Sequence, residues 1–133
     1  MNIVKVLFLV FTLISNTAFT AEFSAQVKTS EGIVQGVYDE KYNVVKWFGI
    51  PYAEQADGEK RWALPQKAKK YTGVKDCSQY APANLQFNGK NVIGQEGVLT
   101  LDVYRPDTGE KNLPVLVFIH GGNNQTSNSR LWM

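Results

Sequence analysis

The feature of this sequence that most restricts its fold is a run of five apolar residues near the C-terminal end, VLVFI at residues 115–119. Pro114 precedes the run, and the tetrapeptide HGGN follows it at residues 120–123. A strand that is apolar at every position is typical of a sheet whose two faces are both covered, usually by helices. Nothing between residues 23 and 133 has an apolar repeat of about 3.6 residues long enough to form such a helix. The run therefore predicts part of a larger α/β fold, and an inner strand of an all-β sandwich is the alternative.

The N-terminal half of the chain predicts strands with one buried face. Residues 23–28 alternate apolar and polar side chains, residues 33–38 predict a second strand, and residues 44–48 predict a third. Turn-forming residues separate the three, so the pattern favours an antiparallel β-meander. We expect the third strand to end at residues 49–52, because Pro51 has no N–H to donate to a neighbouring strand.

The middle of the chain gives weaker signals. Residues 53–94 keep no clear apolar period and predict loop with short helical turns, lying across the surface of something larger. Alternation returns at residues 98–104, which predict a strand, and residues 105–109 predict a turn. The sequence thus indicates a meander, a long connection and then two strands.

The first 21 residues are typical of a secretory signal peptide. Lys5 precedes an apolar run at residues 6–14, and small and polar residues follow up to Ala21. The run is shorter than the roughly 20 residues that a membrane span needs. We therefore expect residues 22–133 to be secreted or periplasmic, with no membrane span after signal cleavage. An N-terminal anchor helix that is never cleaved is the alternative.

Charge and cysteine content limit the kinds of partner and site that this chain can have. The formal net charge is +2, and the basic cluster at residues 67–70 has no aromatic residues interleaved with it, so nucleic-acid binding is not expected. Cys77 is the only cysteine, which excludes an intrachain disulfide and a cysteine-rich metal site within these residues. Cys77 is a buried small hydrophobic residue, a partner for a cysteine beyond residue 133, or a reactive thiol, and the first is favoured.

Four stretches, in this order, resemble the N-terminal part of type B carboxylesterases, the family that also contains cholinesterases. They are Thr29-x-x-Gly-x-Val-x-Gly36, FGIPYA at residues 48–53, LxLDVYRP at residues 99–106 and LPVxVFIHGG at residues 113–122. Arg61-Trp62 with Pro65, and Ala81-Pro82 with Gln86, also fall where that family has an Arg-aromatic pair and a Pro-x-Cys-x-Gln stretch. The resemblance implies the N-terminal part of an α/β-hydrolase. An antiparallel β-meander would lead into the central sheet, and most covering helices would be missing because the chain is truncated.

The resemblance also implies a role for the loop that follows the apolar run. In α/β-hydrolases such an HGG loop donates backbone N–H groups to the oxyanion that develops during acyl transfer. It implies Gly122 and Asn123 as the donors, with Gly121 permitting close approach of the backbone. Asn123 replaces the third glycine of the family, keeps the backbone donor and tolerates a left-handed conformation better than most residues. His120, the only histidine, is expected to be a positioning or packing residue and not a general base.

The rest of the catalytic machinery is expected outside this chain. No G-x-S-x-G pentapeptide is present, and neither Ser127 nor Ser129 lies in one. The family's disulfide positions look like Asn84 and Val98 here, both without cysteine, and Gly97 stands where the family has Asp. The resemblance therefore implies part of a serine esterase that hydrolyses small-molecule carboxylic esters through an acyl-enzyme, without a cofactor or metal, and it implies that this chain alone is inactive.

Two other functions remain compatible with the residues. One is a catalytically silent binding or adhesion protein built on the same fold, since a fold does not fix a function. The other is a small stand-alone secreted β-protein that ends at Met133. The sequence downstream of residue 133 distinguishes the first from an esterase, because a G-x-S-x-G motif favours hydrolysis.

Overall fold

The computed structural model describes residues 25–131, so the predicted signal peptide at residues 1–21 lies outside the described residues. Its regular secondary structure is mostly short strands, and no α-helix is found in this range. The strands are β1 Gln26–Lys28, β2 Ile33–Gln35, β3 Val37–Asp39, β4 Val44–Pro51, β5 Val74–Asp76, β6 Gln86–Phe87, β7 Val92–Ile93 and β8 Thr100–Pro106, and two short 3₁₀ turns lie at Gly58–Lys60 and Ser129–Leu131. No helix within residues 25–131 is long and apolar enough to cross a bilayer.

The predicted second strand is divided between two sheets at Gly36. β2 pairs with β1 (antiparallel) and β5 (parallel), whereas β3 pairs with β4. A Cβ atom at Gly36 would lie 2.4 Å from the carbonyl oxygen of Lys46 and 2.7 Å from the indole of Trp47. Glycine is required there because the two sheets meet at that point. The order of the meander is confirmed, but it does not form one continuous sheet.

β4 and β8 form the longest pair, and both extend beyond their predicted ends. In the sheet order β3-β4-β8, Val44 lies opposite Pro106 and Pro51 opposite Thr100. β4 continues past Phe48, the last residue predicted as strand, because pairing resumes after an irregularity between Trp47 and Ile50; it ends at Pro51, within the stretch expected to end it. The predicted turn beginning at residue 105 is wrong for the same pair, since the strand continues through Pro106.

The segment predicted as loop at residues 53–94 contains three further strands. β5 adds to the edge of β2, and β6 and β7 pair with each other as a short hairpin. These strands have two or three residues each, which is too short to show an alternating pattern. The rest of the segment is irregular, with a single 3₁₀ turn.

The hydrophobic core lies where the two three-stranded sheets meet. Its buried residues are Ala25, Val34, Val45, Trp47 and Cys77. The indole N–H of Trp47 donates to the carbonyl oxygen of Ala25 at 2.8 Å, which satisfies the polar group of a buried aromatic ring. Cys77 is fully buried, and burial raises the pKa of its thiol. The interpretation of Cys77 as a buried small hydrophobic residue is confirmed.

The apolar run at residues 115–119 forms no strand with any part of the described chain. Its side chains are between 54% and 92% exposed. The predicted strand is absent because strand formation needs a backbone partner, and none of residues 25–131 pairs with this run. The covering helices that the sequence analysis expected to be missing are likewise not found among the described residues.

Candidate functional site

The loop at residues 120–127, called the HGGN loop below, is closed by hydrogen bonds to one carbonyl group. The N–H groups of Gln125 and Thr126 donate to the carbonyl oxygen of Gly122 at 3.0 and 3.1 Å. Gly122, Asn123 and Asn124 have φ values of 123°, 55° and 56°. Asparagine is among the side chains that best tolerate such a conformation. Asn123 thus adopts the left-handed conformation that the sequence analysis expected asparagine to tolerate.

Gly122 is confined by its own turn. A Cβ atom at this position would lie 1.9 Å from the carbonyl oxygen of Thr126. Gly121 differs, since no atom lies within 4 Å of the corresponding Cβ position. The turn therefore requires glycine at position 122. At Gly121, no backbone from residues 25–131 approaches closely, so its expected role in permitting close approach stays a prediction.

The backbone N–H groups of Gly121, Gly122 and Asn123 donate to no acceptor within residues 25–131. They are consecutive, they lie on the turn just described, and Gly121 and Asn123 are exposed. Backbone N–H groups without an internal acceptor seek a partner, and a negatively charged oxygen is a strong one. These three N–H groups therefore have no acceptor within the described residues, and the oxyanion role that the resemblance to carboxylesterases implied stays a prediction.

His120 is exposed, and its imidazole Nδ1 lies 2.7 Å from the carbonyl oxygen of Gly121. Nδ1 donates in this contact if it carries the ring proton. No carboxylate contacts the ring within the described part of the chain. The geometry gives His120 a contact with its own loop, and its expected positioning role stays a prediction.

The HGGN loop is attached to the hairpin β6–β7 through Gln86. The N–H of Ser127 donates to Gln86 Oε1 at 2.7 Å, and Gln86 Nε2 donates to the carbonyl oxygen of Ser127 at 3.0 Å. Gln86 Nε2 also donates to the carbonyl oxygen of Asn84 at 3.0 Å. Sequence reasoning used Gln86 only as a matching position and missed this contact, which spans 41 residues of chain.

A second attachment runs through Asp102 on β8. Its Oδ2 accepts a hydrogen bond from the Ser129 hydroxyl at 2.6 Å, and its Oδ1 accepts one from the N–H of Gly49 at 2.9 Å. The carboxylate thus joins the residues after the HGGN loop to the irregularity of β4. In the sequence, Asp102 is a polar residue of an alternating strand and part of the LxLDVYRP stretch, and neither pattern indicates these contacts.

Arg130 provides a third attachment, to an aromatic cluster. Its guanidinium lies 5.0 Å from the centroid of the Tyr80 ring, a cation–π contact. Tyr80 stacks on Phe48 with a centroid distance of 4.0 Å, and the Tyr80 and Tyr104 hydroxyls are 2.9 Å apart. Burial and this hydrogen bond raise the pKa of Tyr104 far above its ordinary value. The Tyr104 hydroxyl therefore keeps its proton and its hydrogen bond with the Tyr80 hydroxyl.

No group of three or more His, Cys, Asp or Glu side chains within residues 25–131 is arranged to hold a metal ion. The contacts described above attach the loop and the residues after it through the amide of Gln86, the carboxylate of Asp102 and the guanidinium of Arg130.

Comparison with known proteins decides the family. Residues 24–132 match the Carboxylesterase family. The chain belongs to the carboxylesterase family. The match confirms the family that the four sequence stretches resembled.

Relatives in this family include a para-nitrobenzyl esterase and a phenmedipham hydrolase. The para-nitrobenzyl esterase of Bacillus subtilis (strain 168) is 36% identical over 103 residues, which cover 72% of this chain and 21% of the relative. The phenmedipham hydrolase of Pseudarthrobacter oxydans is 33% identical over 113 residues, which cover 77% of this chain and 22% of the relative. The chain therefore spans about a fifth of the length of these carboxylesterases.

Solved structures confirm the fold. A thermophilic para-nitrobenzyl esterase superposes with a TM-score of 0.69 at 34% identity, covering 77% of this chain and 22% of that one. A carboxylesterase of Geobacillus stearothermophilus gives a TM-score of 0.69 at 31% identity, covering 77% and 21%. The strand-rich structure described above is thus the N-terminal part of an α/β-hydrolase.

The local backbone and burial suit the residues that depart from the carboxylesterase pattern. Asn84 and Val98 are the positions at which the resemblance implied cysteines. Asn84 pairs through its backbone with Gln95, and Val98 is buried. Gly97 has a φ of 74°, and a Cβ atom there would lie 3.0 Å from the backbone nitrogen of Asp57. The Asp of the family would be strained at position 97 in this structure, so glycine suits the local backbone.

Proposed function

We propose that this chain is the N-terminal part of a serine carboxylesterase and supplies its oxyanion donors. The observation that carries the proposal is the run of three backbone N–H groups at Gly121, Gly122 and Asn123, which have no acceptor within residues 25–131. Membership of the carboxylesterase family supports the same role. "Full-length protein" below means the complete translation product that contains this sequence.

The proposed reaction is acyl transfer to a serine that lies outside this chain. The serine oxygen attacks the ester carbonyl carbon, a histidine takes the serine proton, and the carbonyl oxygen becomes negatively charged. The N–H groups of Gly122 and Asn123 donate to that oxygen, and each such donor is worth about 3 kcal/mol of transition-state stabilisation. The histidine then protonates the departing alcohol, and water hydrolyses the acyl-enzyme.

The proposed substrates are small-molecule carboxylic esters. Two relatives are named as a para-nitrobenzyl esterase and a phenmedipham hydrolase. The reaction needs no cofactor, because serine, histidine and backbone donors carry every step. Asn123, where the family has glycine, adds a polar side chain beside the donors.

We also propose that the protein is exported by residues 1–21. Lys5, the apolar run at residues 6–14 and the small residues before position 22 support this proposal. The test is to fuse residues 1–30 to a reporter enzyme that is active only outside the cytoplasm and to sequence the mature N-terminus. Reporter activity with cleavage between residues 18 and 22 is expected. An intracellular or uncleaved product contradicts the proposal.

Ester hydrolysis by the full-length protein tests the proposed function. Purified protein is mixed with p-nitrophenyl acetate and p-nitrophenyl butyrate, and a burst of nitrophenol followed by saturable turnover is expected. A fluorophosphonate probe should label one serine in the full-length protein and none in residues 22–133 alone. The absence of both turnover and labelling would reject the esterase and favour a catalytically silent binding protein.

A further inference from the structure

We propose that Gln86 is a positioning residue that holds the oxyanion donors of the HGGN loop in place. This assignment rests on the proposed function. Gln86 lies on β6 and makes its hydrogen bonds to the HGGN loop at Ser127, so its action on the donors is exerted through Ser127.

The contact between Gln86 and Ser127 fixes both the place and the orientation of one peptide segment. The primary amide accepts from the Ser127 N–H at 2.7 Å and donates to the Ser127 carbonyl oxygen at 3.0 Å. Paired bonds of this kind reproduce the exchange of N–H and C=O bonds between two opposed residues of an antiparallel sheet. A single hydrogen bond would allow rotation, whereas the pair does not.

The amide of Gln86 is itself held. Nε2 makes a second bond, to the carbonyl oxygen of Asn84 at 3.0 Å, and the Gln86 backbone lies opposite Ile93 in the β6–β7 hairpin. Both amide donors and the amide oxygen therefore have partners. Gln86 is half-buried, so water competes only partly for these bonds.

Ser127 is coupled to the donors through the tight turn. Thr126, its neighbour, donates its N–H to the Gly122 carbonyl oxygen at 3.1 Å. The Thr126 carbonyl oxygen lies only 1.9 Å from the position of a Cβ atom at Gly122. A shift of Ser127 must therefore move the peptide of Gly122, which carries one oxyanion donor.

Glutamate at position 86 provides the sharpest test, because it keeps the acceptor and loses the donor. The ionised carboxylate of Gln86→Glu would face the carbonyl oxygens of Ser127 and Asn84, whereas a protonated carboxyl would donate to one of them. We expect kcat of the full-length protein to fall by about 10- to 100-fold near neutral pH, with KM changed by less than about threefold. The ratio of variant to wild-type kcat should rise as pH is lowered, since protonation restores one donor. A residue of merely structural importance would not produce this pH dependence.

Gln66→Glu is the matched control. The side-chain amide of Gln66 also donates to the carbonyl oxygen two residues earlier, that of Leu64, at 3.1 Å. Within residues 25–131 it makes no hydrogen bond to the HGGN loop. The control variant should keep wild-type kcat, and its ratio of variant to wild-type kcat should not change over the same pH range.

Hydrogen exchange of the Ser127 amide in unsubstituted full-length protein gives an independent readout that does not depend on a variant folding. Slow exchange is expected, because the N–H is bonded to Gln86 Oε1. The assignment would be overturned if the Ser127 amide exchanged at the rate of an exposed amide. It would also be overturned if kcat of Gln86→Glu lay within twofold of wild type, or if the ratio of variant to wild-type kcat did not change with pH. Absence of ester hydrolysis in the unsubstituted protein would instead reject the proposed function, and the role of Gln86 with it.

Discussion

β8 and the apolar run at residues 115–119 both read as strands in the sequence, and only β8 forms one. β8 pairs with β4 along most of its length, from Thr100 to Pro106. The apolar run has a stronger hydrophobic pattern, yet it has no partner in residues 25–131 and its side chains are exposed. A residue pattern therefore predicts that a segment suits a sheet, whereas pairing requires the partner strand to be present.

The same contrast holds between two larger regions, which we call the β-core (residues 25–107) and the C-terminal segment (residues 113–131). The β-core is held by buried side chains such as Val34 and Val45. The C-terminal segment is held by polar contacts from the β-core, at Gln86 and Asp102. The β-core is thus stabilised mainly by burial and the C-terminal segment by a few directional bonds.

Substitution at Gly122 should give the largest effect, and it should affect only the C-terminal segment. In Gly122→Ala, the new Cβ atom would meet the Thr126 carbonyl oxygen. We expect kcat of the full-length protein to fall by about 100-fold or more, because the donors leave the position of the oxyanion. Steady-state kinetics with p-nitrophenyl butyrate measures the effect.

The control for that prediction is Gly89→Ala, another glycine with positive φ, which has no neighbour within 4 Å. It should leave kcat unchanged. Equal losses in both variants would show that backbone strain, and not the position of the HGGN loop, limits the rate.

Some features of the fold and of the site could be predicted from the sequence, and others could not. The meander order, the buried Cys77 and the left-handed Asn123 were predictable, because each depends on local pattern or on the conformational range of one residue. The roles of Gln86 and Asp102 were not, since their contacts join residues 41 and 27 positions apart. Side-chain bonds over such separations leave no period or spacing to detect.

A pair of valine substitutions should separate the two regions by stability. Val45 is fully buried and Val117 is 77% exposed. In residues 22–133 alone, Val45→Ala should lower the free energy of unfolding by about 2 kcal/mol. Val117→Ala should change it by less than about 0.5 kcal/mol. Urea unfolding followed by tryptophan fluorescence measures both.

In the full-length protein the two valine substitutions should become similarly costly, because the proposed remainder of the fold covers the apolar run. A cost for Val117→Ala that is small in both proteins would contradict the expectation that this run enters a sheet with both faces covered.

Loss of the Ser129 hydroxyl should give a smaller effect, confined to the attachment of the C-terminal segment. Ser129→Ala removes the 2.6 Å bond to Asp102 and should cost about 1 kcal/mol. Hydrogen exchange should accelerate in residues 121–131 and remain unchanged in the β-core. Ser30→Ala is the control, since Ser30 donates to the Glu31 carboxylate at 2.7 Å in an exposed position. If both alanine variants behave alike, Asp102 does not hold the segment.

The smallest effect should come from the ion pair between Asp39 and Lys46 in the β-core. The hydrogen bond from Lys46 lowers the pKa of Asp39 below its ordinary value of 3.8. A carboxyl whose pKa is lower in the folded state stabilises above its unfolded pKa, and the contribution is lost as pH falls through the folded value. Asp39→Asn should therefore flatten the loss of stability below about pH 4. Thermal unfolding between about pH 2 and 6 checks this. If stability falls equally below about pH 4 in the variant and the wild type, the ion pair does not contribute to stability.

The central claim, that the HGGN loop supplies the oxyanion donors of a carboxylesterase, is tested most directly by a crystal structure of the full-length protein inactivated with a phosphonate ester. The phosphonyl oxygen takes the place of the oxyanion. We predict that it lies about 2.7–3.1 Å from the backbone nitrogens of Gly122 and Asn123. A phosphonyl oxygen that is bound by other groups, with both nitrogens beyond hydrogen-bonding distance, would contradict the claim.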